Sequence, residues 1–377
     1  MSTVALVRCE TYAEEEVEAA IKAALEQFGG IKSLVKPGAK VLLKPNLLCA
    51  RSPEKCVTTH PAIVSVIARM VLDAGGKPFI GDSPAIGSFK WVAAKSGLEQ
   101  VARKLNIELV ELTHPTPIPP LPETKFKKIT IAAAALEADV VINLPKLKTH
   151  SQMMLTLGVK NLFGTVVAQR KAEWHFLAGM NRDTFASLLL DIYLTIKPKI
   201  TIIDGVWGME GYGPSNGIPR KINLVAAAID AVALDTTICY LLGGDFDSFP
   251  LYREARARNI GETDLGRIDF PLKYPADFKQ SNFQIPILDS LAVLPPVFNW
   301  VAKKYLVSKP VHNKKSCQDC GQCMKICPAK AIEVQSGKGK FFYERCIRCY
   351  CCQEICPGDA IHFKPGLLVR FLSHFHR

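Results

Sequence analysis

Cys317-Gln-Asp-Cys320-Gly-Gln-Cys323-Met-Lys-Ile-Cys327-Pro328 returns 29 residues later as Cys346-Ile-Arg-Cys349-Tyr-Cys351-Cys352-Gln-Glu-Ile-Cys356-Pro357. Both copies read C-x2-C-x2-C-x3-C-P, the spacing of bacterial iron–sulfur ligands. Three thiolates on one tight loop grip three corners of a cubane. The fourth Cys, followed by a helix-starting Pro, points away and ligates the other cluster. The spacing thus expects one [4Fe–4S] cluster on Cys317, Cys320, Cys323 and Cys356. The second falls to Cys346, Cys349, Cys352 and Cys327.

The repeat runs past the ligands. Cys327-Pro-Ala-Lys-Ala-Ile332 aligns with Cys356-Pro-Gly-Asp-Ala-Ile361 at the same offset, and each copy ends in an alternating segment that reads as a short strand. Residues 312–365 resemble a two-cluster bacterial ferredoxin domain, a small α+β unit with an internal two-fold repeat. A disulfide scaffold would need a secreted chain, and a zinc ribbon would need paired knuckles instead of runs of four. Cys351 stands out of register and reads as a packed free thiol.

About 300 residues precede the repeat, room for one large domain or two smaller ones. The net charge is +12, of which residues 309–377 carry +7 (12 Lys/Arg against 5 Asp/Glu). Clusters with four thiolates each are anionic, so part of that excess is local compensation. No basic run interleaved with aromatics is present, which excludes a nucleic-acid role and leaves an anionic ligand or an acidic redox partner. The start of the chain has no basic-then-apolar leader, and apolar runs break well short of about 20 residues. Together with oxygen-sensitive thiolates, this places the expected location in the cytoplasm.

Before the repeat, apolar strands alternate with helices. Strands are expected at Val4–Val7, Val41–Leu43, Pro78–Ile80, Ile107–Leu112, Val140–Ile142, Thr201–Ile203 and Asn223–Ala227. Helices are expected over 13–28, 61–74, 89–105, around 132–138, over 184–196 and over 231–242, with a proline-rich loop at 113–124. Uninterrupted apolar strands between helices imply an α/β domain, a mainly parallel sheet with helices on both faces. The expected division is an α/β domain over 1–284, a connector over 285–311, the ferredoxin-type domain over 312–365 and a tail over 366–377. The apolar segments Val297–Val307 and Leu367–Phe375 read as packing between domains in preference to a membrane-surface helix.

Ligands of such sheets bind beyond the carboxyl ends of the strands. That edge collects Lys44, Asn46, Asp82, Asn143, Lys146, Lys148, His150 and Asp204. Lys44-Pro-Asn46, Thr58-Thr-His-Pro61, Gly81-Asp-Ser-Pro84, Leu144-Pro-Lys-Leu-Lys-Thr-His150, Val159-Lys-Asn-Leu-Phe-Gly164 and Met209-Glu-Gly-Tyr-Gly-Pro-Ser-Asn-Gly217 resemble the domain of unknown function 362 (DUF362) family. Members of that family often carry a C-terminal two-cluster ferredoxin module. The likeness covers roughly residues 1–265. One departure is Ile229, where members tend to have a small polar residue before the Asp matched by Asp230. The resemblance implies an iron–sulfur protein and supplies no substrate.

Residue chemistry names the candidates. Lys44, Lys146, Lys148 and Lys160 suit a carboxylate or phosphate clamp, and the Gly208–Gly217 loop, with Gly211 and Gly213, an anion nest. His150 is the candidate proton donor, with His60 and His175 as weaker candidates. Asp82, Asp204 and Glu210 suit a cation or the orientation of a lysine. Cys49 and Cys56 fit no common metal spacing and read as free thiols. There is no radical-SAM run, no G-x-G-x-x-G after a strand and no P-loop, so an additional unidentified cofactor or metal in the α/β domain is left open. The function expected is iron–sulfur electron transfer to a small anionic substrate or cofactor at the strand edge, catalysed by His150, Lys146 and Lys148. It calls for a redox partner protein. The competing expectations are a cofactor- or metal-assembly protein, and a non-enzymatic carrier whose large domain docks a partner.

Overall fold

The computed structural model describes residues 1–121, 124–179, 181–286, 308–335 and 338–364. It forms two compact units, Met1–Lys171 with Arg182–Pro286, and Ala172–Asn181 with the residues from Ile287 onward. Most of the expected connector and all of the expected tail lie outside the described residues, as do the apolar segments 297–307 and 367–375.

The first unit is built on one sheet. Its strands are β1 (Ala5–Arg8), β2 (Lys40–Pro45), β3 (Lys77–Asp82), β4 (Glu108–Glu111), β7 (Val140–Leu144), β8 (Lys146–His150), β9 (Met154–Thr156), β10 (Ile200–Glu210) and β11 (Ile218–Ala228). A separate ribbon pairs β5 (Pro115–Pro117) with β6 (Thr130–Ala132). Across the sheet the order is β4, β3, β2, β7, β10, β11, β1, with β8 continuing the line of β7 and β9 antiparallel beside β8. All neighbours are parallel except those made by β9 and β11, so the sheet is mainly parallel.

Val41, Leu43, Ile80, Ile142, Leu144, Ile200 and Ile202 share one buried cluster with Val17, Ile21, Ile63, Val64 and Ile67 of α1 (Glu14–Glu26) and α2 (Pro61–Asp73). Alternate residues of the same strands, Leu42, Phe79, Val141 and Ile203, are buried as well. Since a strand's side chains alternate faces, the sheet is covered on both.

Three local expectations are corrected. The helix expected over 89–105 is two, α3 (Phe89–Lys95) and α4 (Leu98–Leu105), because Gly97 between them takes φ +79°, a left-handed value that ends a helix. The proline-rich stretch does contain a strand. In an antiparallel pair alternate residues face the partner. Here His114 C=O and Ile118 N–H bond to Ala133 and Ile129, so the even positions carry the ladder and Pro115 and Pro117 point their missing N–H away. Finally, β10 does not stop at Asp204. It runs to Glu210 and pairs with β11 as a long hairpin. Gly208 therefore lies in a strand, where a Cβ would stand 2.9 Å from the Leu147 side chain. Its role is close approach, and the connecting loop is only residues 211–217.

The second unit, by itself, is two small antiparallel ribbons. β12 (Lys309–His312) pairs with β15 (Ile361–Lys364), and β13 (Ile332–Gln335) with β14 (Lys338–Phe341). Short helices follow each cysteine loop, α5 (Gln322–Ile326) and α6 (Cys351–Glu354).

Candidate functional sites: a polar strand edge and two cysteine cavities

At the carboxyl edge of the sheet, polar side chains form a row across neighbouring strands. Lys44 of β2 pairs with Asp82 of β3 at 3.0 Å and donates to Pro45 C=O at 2.6 Å. Lys148 of β8 donates to Asn46 Oδ1 at 2.8 Å and to Val57 C=O at 2.6 Å. Lys146, two residues earlier on the same face, pairs with Asp204 of β10 at 2.9 Å and donates to the Tyr12 hydroxyl at 2.8 Å. All three lysines are essentially fully buried. Burial pushes the Lys44 ammonium below its ordinary range, and Asp82 opposes that shift.

Two further features tie the row together. An amide chain runs from Asn46 Nδ2 to Asn161 Oδ1, from Asn161 Nδ2 to Asn143 Oδ1, and from Asn143 Nδ2 to Gly158 C=O. At its end Asp235 accepts the Gly158 and Val159 N–H groups at 2.7 and 3.0 Å. Burial drives the Asp235 carboxyl up to about 8 against the pull of those N–H bonds. Near Lys146, the Tyr12 and His60 rings stack with centroids 3.5 Å apart and 6° between planes. Asp204 accepts from both the Tyr12 hydroxyl and the His60 backbone N–H at 2.8 Å. Burial holds His60 down to about 4, with Lys146 adding to and Asp204 opposing that shift, so its ring is neutral at physiological pH. Burial and Asp204 raise the Tyr12 phenol well above its usual value.

The sequence candidates sort accordingly. Lys44, Asn46, Asp82, Asn143, Lys146, Lys148 and Asp204 come together. His150 ends β8, and its Nδ1 accepts from Gln152 and Met153 N–H of the following turn at 3.0 and 3.3 Å. In the neutral ring that puts the proton on Nε2, a donor. Lys160 lies over the Phe163 and Phe185 rings, at 5.9 and 6.0 Å. Glu210 accepts Gln284 N–H at 3.1 Å and stands 3.8 Å from Arg220, away from the row. Gly211 N–H bonds to Gln284 C=O, and Gly213 N–H to Gly211 C=O and Thr149 Oγ1. Two of the donors expected to form an anion nest are thus engaged inside the fold. His175 belongs to the second unit.

Sequence reasoning missed Tyr12, which follows the carboxyl end of β1 and was reachable by the rule that found Lys44. It also gave no role to Asn161 or Asp235, although a lone Asp inside the apolar helix Ala231–Leu241 is itself a signal of a buried partner.

In the second unit the cysteines line two cavities. One is lined by Cys317, Cys320, Cys323 and Cys356, with Val334 and Ile361 among its walls. The other is lined by Cys346, Cys349, Cys352 and Cys327, with Ile332 and Phe341. None of these cysteines is in a disulfide. Backbone N–H groups of Asp319, Ala331 and Ala360 donate to the sulfurs of Cys317, Cys327 and Cys356 at 3.4, 3.2 and 3.2 Å. Among the described residues no three Cys, His, Asp or Glu side chains converge tightly enough for a single metal ion. A zinc site needs such convergence, whereas a cubane spreads its thiolates over separate irons. The residues fit a cubane.

The family model described as domain of unknown function (DUF362) matches residues 41–240, over half of the 377-residue chain. The chain belongs to the DUF362 family. A second model, described as 4Fe-4S dicluster domain, matches residues 309–357 of this DUF362 protein. A relative, the "Thylakoid-associated protein sll1697" of Synechocystis sp. (strain ATCC 27184 / PCC 6803 / Kazusa), is 38% identical over 289 residues, 76% of this chain and 88% of that protein. A solved structure, the lactate racemase apoprotein from Thermoanaerobacterium thermosaccharolyticum, covers 64% of the DUF362 protein and is itself covered over 57%, at 14% identity and a TM-score of 0.42. The DUF362 protein therefore carries an iron–sulfur, ferredoxin-type domain for electron transfer. No helix among its described residues is long and apolar enough to cross a membrane.

Proposed function

We propose that the protein holds two [4Fe–4S] clusters and delivers their electrons to a small anionic substrate or cofactor bound at the strand edge of the α/β domain. The observation that carries the first part is the crossed composition of the two cavities. Each takes three cysteines from one run and the fourth from the other. Cys317, Cys320, Cys323 and Cys356 would hold one cluster, and Cys346, Cys349, Cys352 and Cys327 the other. When bound, the clusters supply one-electron chemistry at low potential.

The strand-edge part is supported by the buried polar row and by His150 at the end of β8, whose Nδ1 is engaged by the following turn. Because Asp82 and Asp204 neutralise Lys44 and Lys146, recognition there rests on directed hydrogen bonds more than on net positive charge. That same neutralisation favours a second reading, in which the large domain docks a redox partner protein and binds no small molecule. Cytoplasmic placement suits cluster cysteines kept reduced. The thylakoid association named for the relative offers a membrane surface as the competing location, which fractionation of the source cells distinguishes.

The test is anaerobic reconstitution of the full chain, with iron and sulfide counts and EPR of the reduced protein, followed by mass spectrometry of small molecules released on denaturation. About eight irons per chain and a released anionic compound would support the reading. Four irons or bound zinc would overturn the two-cluster assignment. A fully loaded protein that releases nothing and binds a protein partner would replace the substrate site with a docking surface.

A further inference from the structure

The 29-residue repeat places charged residues of opposite sign at matched positions beside the two cavities. Asp319 and Arg348 occupy the same place inside the first C-x2-C of each run, and both are left-handed, with φ of 53° and 57°. Lys330 and Asp359 occupy the same place three residues after the fourth cysteine, again both left-handed, with φ of 47° and 50°. The fourth cysteine of each run lines the cavity of the other run. Crossing therefore sorts the charges. In the chain, Arg348 and Lys330 adjoin lining residues of the cavity of Cys346, Cys349, Cys352 and Cys327, and Asp319 and Asp359 adjoin lining residues of the other.

Arg348 is the strongest of the four. It is only 6% exposed, although Asp319 and Lys330 are on the surface. Its Nε and Nη1 make no hydrogen bond among the described residues, and its guanidinium lies over the Tyr343 ring at 5.3 Å. Lys309 lies over the same ring at 5.1 Å. A guanidinium does not lose its proton at any ordinary pH, and burial reduces the screening that weakens surface charges. Lys325 and Glu354, also a matched pair, act in the opposite sense. Lys325 is exposed and screened, while Glu354 is half-buried between Cys352 and Cys356 and its charge reaches Cys349; for Arg348 to prevail, its more deeply buried guanidinium must outweigh that carboxylate.

Resting on the two-cluster reading above, we propose that the two clusters are not isopotential. The cluster of Cys346, Cys349, Cys352 and Cys327 is the more readily reduced, and Arg348 is the main cause. Reduction adds one negative charge to a cluster, which a buried cation stabilises and neighbouring carboxylates oppose. In the singly reduced protein the electron passes from the reduced first cluster to the oxidised second one, one electron lost and one gained, with no proton needed. Cys349 and Cys352 are buried and Cys320 is exposed. The first cluster is thus the exchange point for a partner and the second the electron's resting place.

The experiment is an EPR-monitored redox titration, at pH 8 and with excess salt held constant, of the reconstituted full chain and of R348Q, R348K and D319N. Iron and sulfide are counted on every sample. The wild type is expected to reduce in two one-electron steps, with at least a tenfold preference for one cluster, which is about 59 mV. R348Q should lower the upper step and leave the lower one, R348K should retain most of the split, and D319N should raise only the lower step. A fully loaded wild type with one unresolved step, or an R348Q that leaves the upper step in place, overturns the proposal. A wild type holding only four irons instead fails the two-cluster reading. If R348Q does not take up iron, R348K decides: a fully loaded R348K that keeps the two steps apart supports the proposal, and one that reduces in a single unresolved step overturns it.

Discussion

Asp204 holds the Lys146 ammonium at 2.9 Å on the same oxygen, Oδ2, that accepts the His60 backbone N–H at 2.8 Å. One carboxylate therefore fixes a strand-borne cation, the first residue before helix α2 and, through its other oxygen, the Tyr12 hydroxyl. Removing one member of a buried pair strands the other charge, which costs about 3–5 kcal/mol. Lys146→Met should lower the unfolding free energy by roughly that amount in urea melts of the apoprotein. Lys146→Met with Asp204→Leu should cost less than Lys146→Met alone. A K146M protein as stable as wild type would show that the pair does not organise the edge.

Gly164 supports the companion pair. A Cβ there would meet Asp82 Oδ1 at 2.4 Å and Lys44 Nζ at 2.5 Å, so the glycine is required by close approach and not by its φ. Gly164→Ala should force the Lys44–Asp82 pair apart and destabilise the protein by about 2–4 kcal/mol, as overpacking next to a buried ion pair does. The measurement is the shift in urea midpoint. A neutral G164A would mean that the loop after Asn161 moves freely away.

The fold of the first unit was legible because its strands are short apolar runs ending in polar residues, and Lys146 and Lys148 fall two apart on one face of a strand. What those ends do to each other was not legible. Nothing in Lys-x-Lys-x-His tells that the two lysines find Asp204 and Asn46, or that His150 spends Nδ1 on its own turn. Gly208 misled because a glycine between strands and a glycine inside one look alike in sequence. Tyr12, just past the carboxyl end of β1, was within reach of the strand-end rule; what it does there was not, because its partners lie 134 and 192 residues away. In the second unit the ligand spacing is local, so the loops were readable residue by residue.

Asp235 makes stability depend on pH. Its folded value, about 8, lies above that of an exposed carboxyl, 3.8. The folded state therefore binds more protons than the unfolded state between those values. The group's contribution is complete below about 3.8 and is lost as pH rises through about 8. Urea midpoints should fall between about pH 4 and 8 in wild type and level off above that. Asp235→Asn cannot titrate, so its profile should be flatter there, from a lower starting stability because an amide N–H₂ opposes one of the two backbone donors. Parallel profiles for the two proteins would remove Asp235 as the cause.

Crossed ligation gives an outcome that a simple tandem arrangement does not. Cys327 belongs to the first run by sequence, yet it lines the cavity of Cys346, Cys349 and Cys352, and Ala331 N–H bonds its sulfur at 3.2 Å. Cys327→Ser should weaken or abolish the cluster of the second run and leave that of the first. Cys356→Ser should do the reverse, losing the cluster of Cys317, Cys320 and Cys323. With serine a poor iron ligand, each variant should hold about half the wild-type iron and show the EPR signal of one cluster. Potentials of the surviving signals identify which cluster remains in each case, by comparison with Cys320→Ser and Cys349→Ser, each of which removes a ligand whose run and cavity agree. If C327S retained the same cluster as C349S, the crossing would stand; if it matched C320S, each run would close on its own cluster and the charges sorted by the crossing would have to be reassigned.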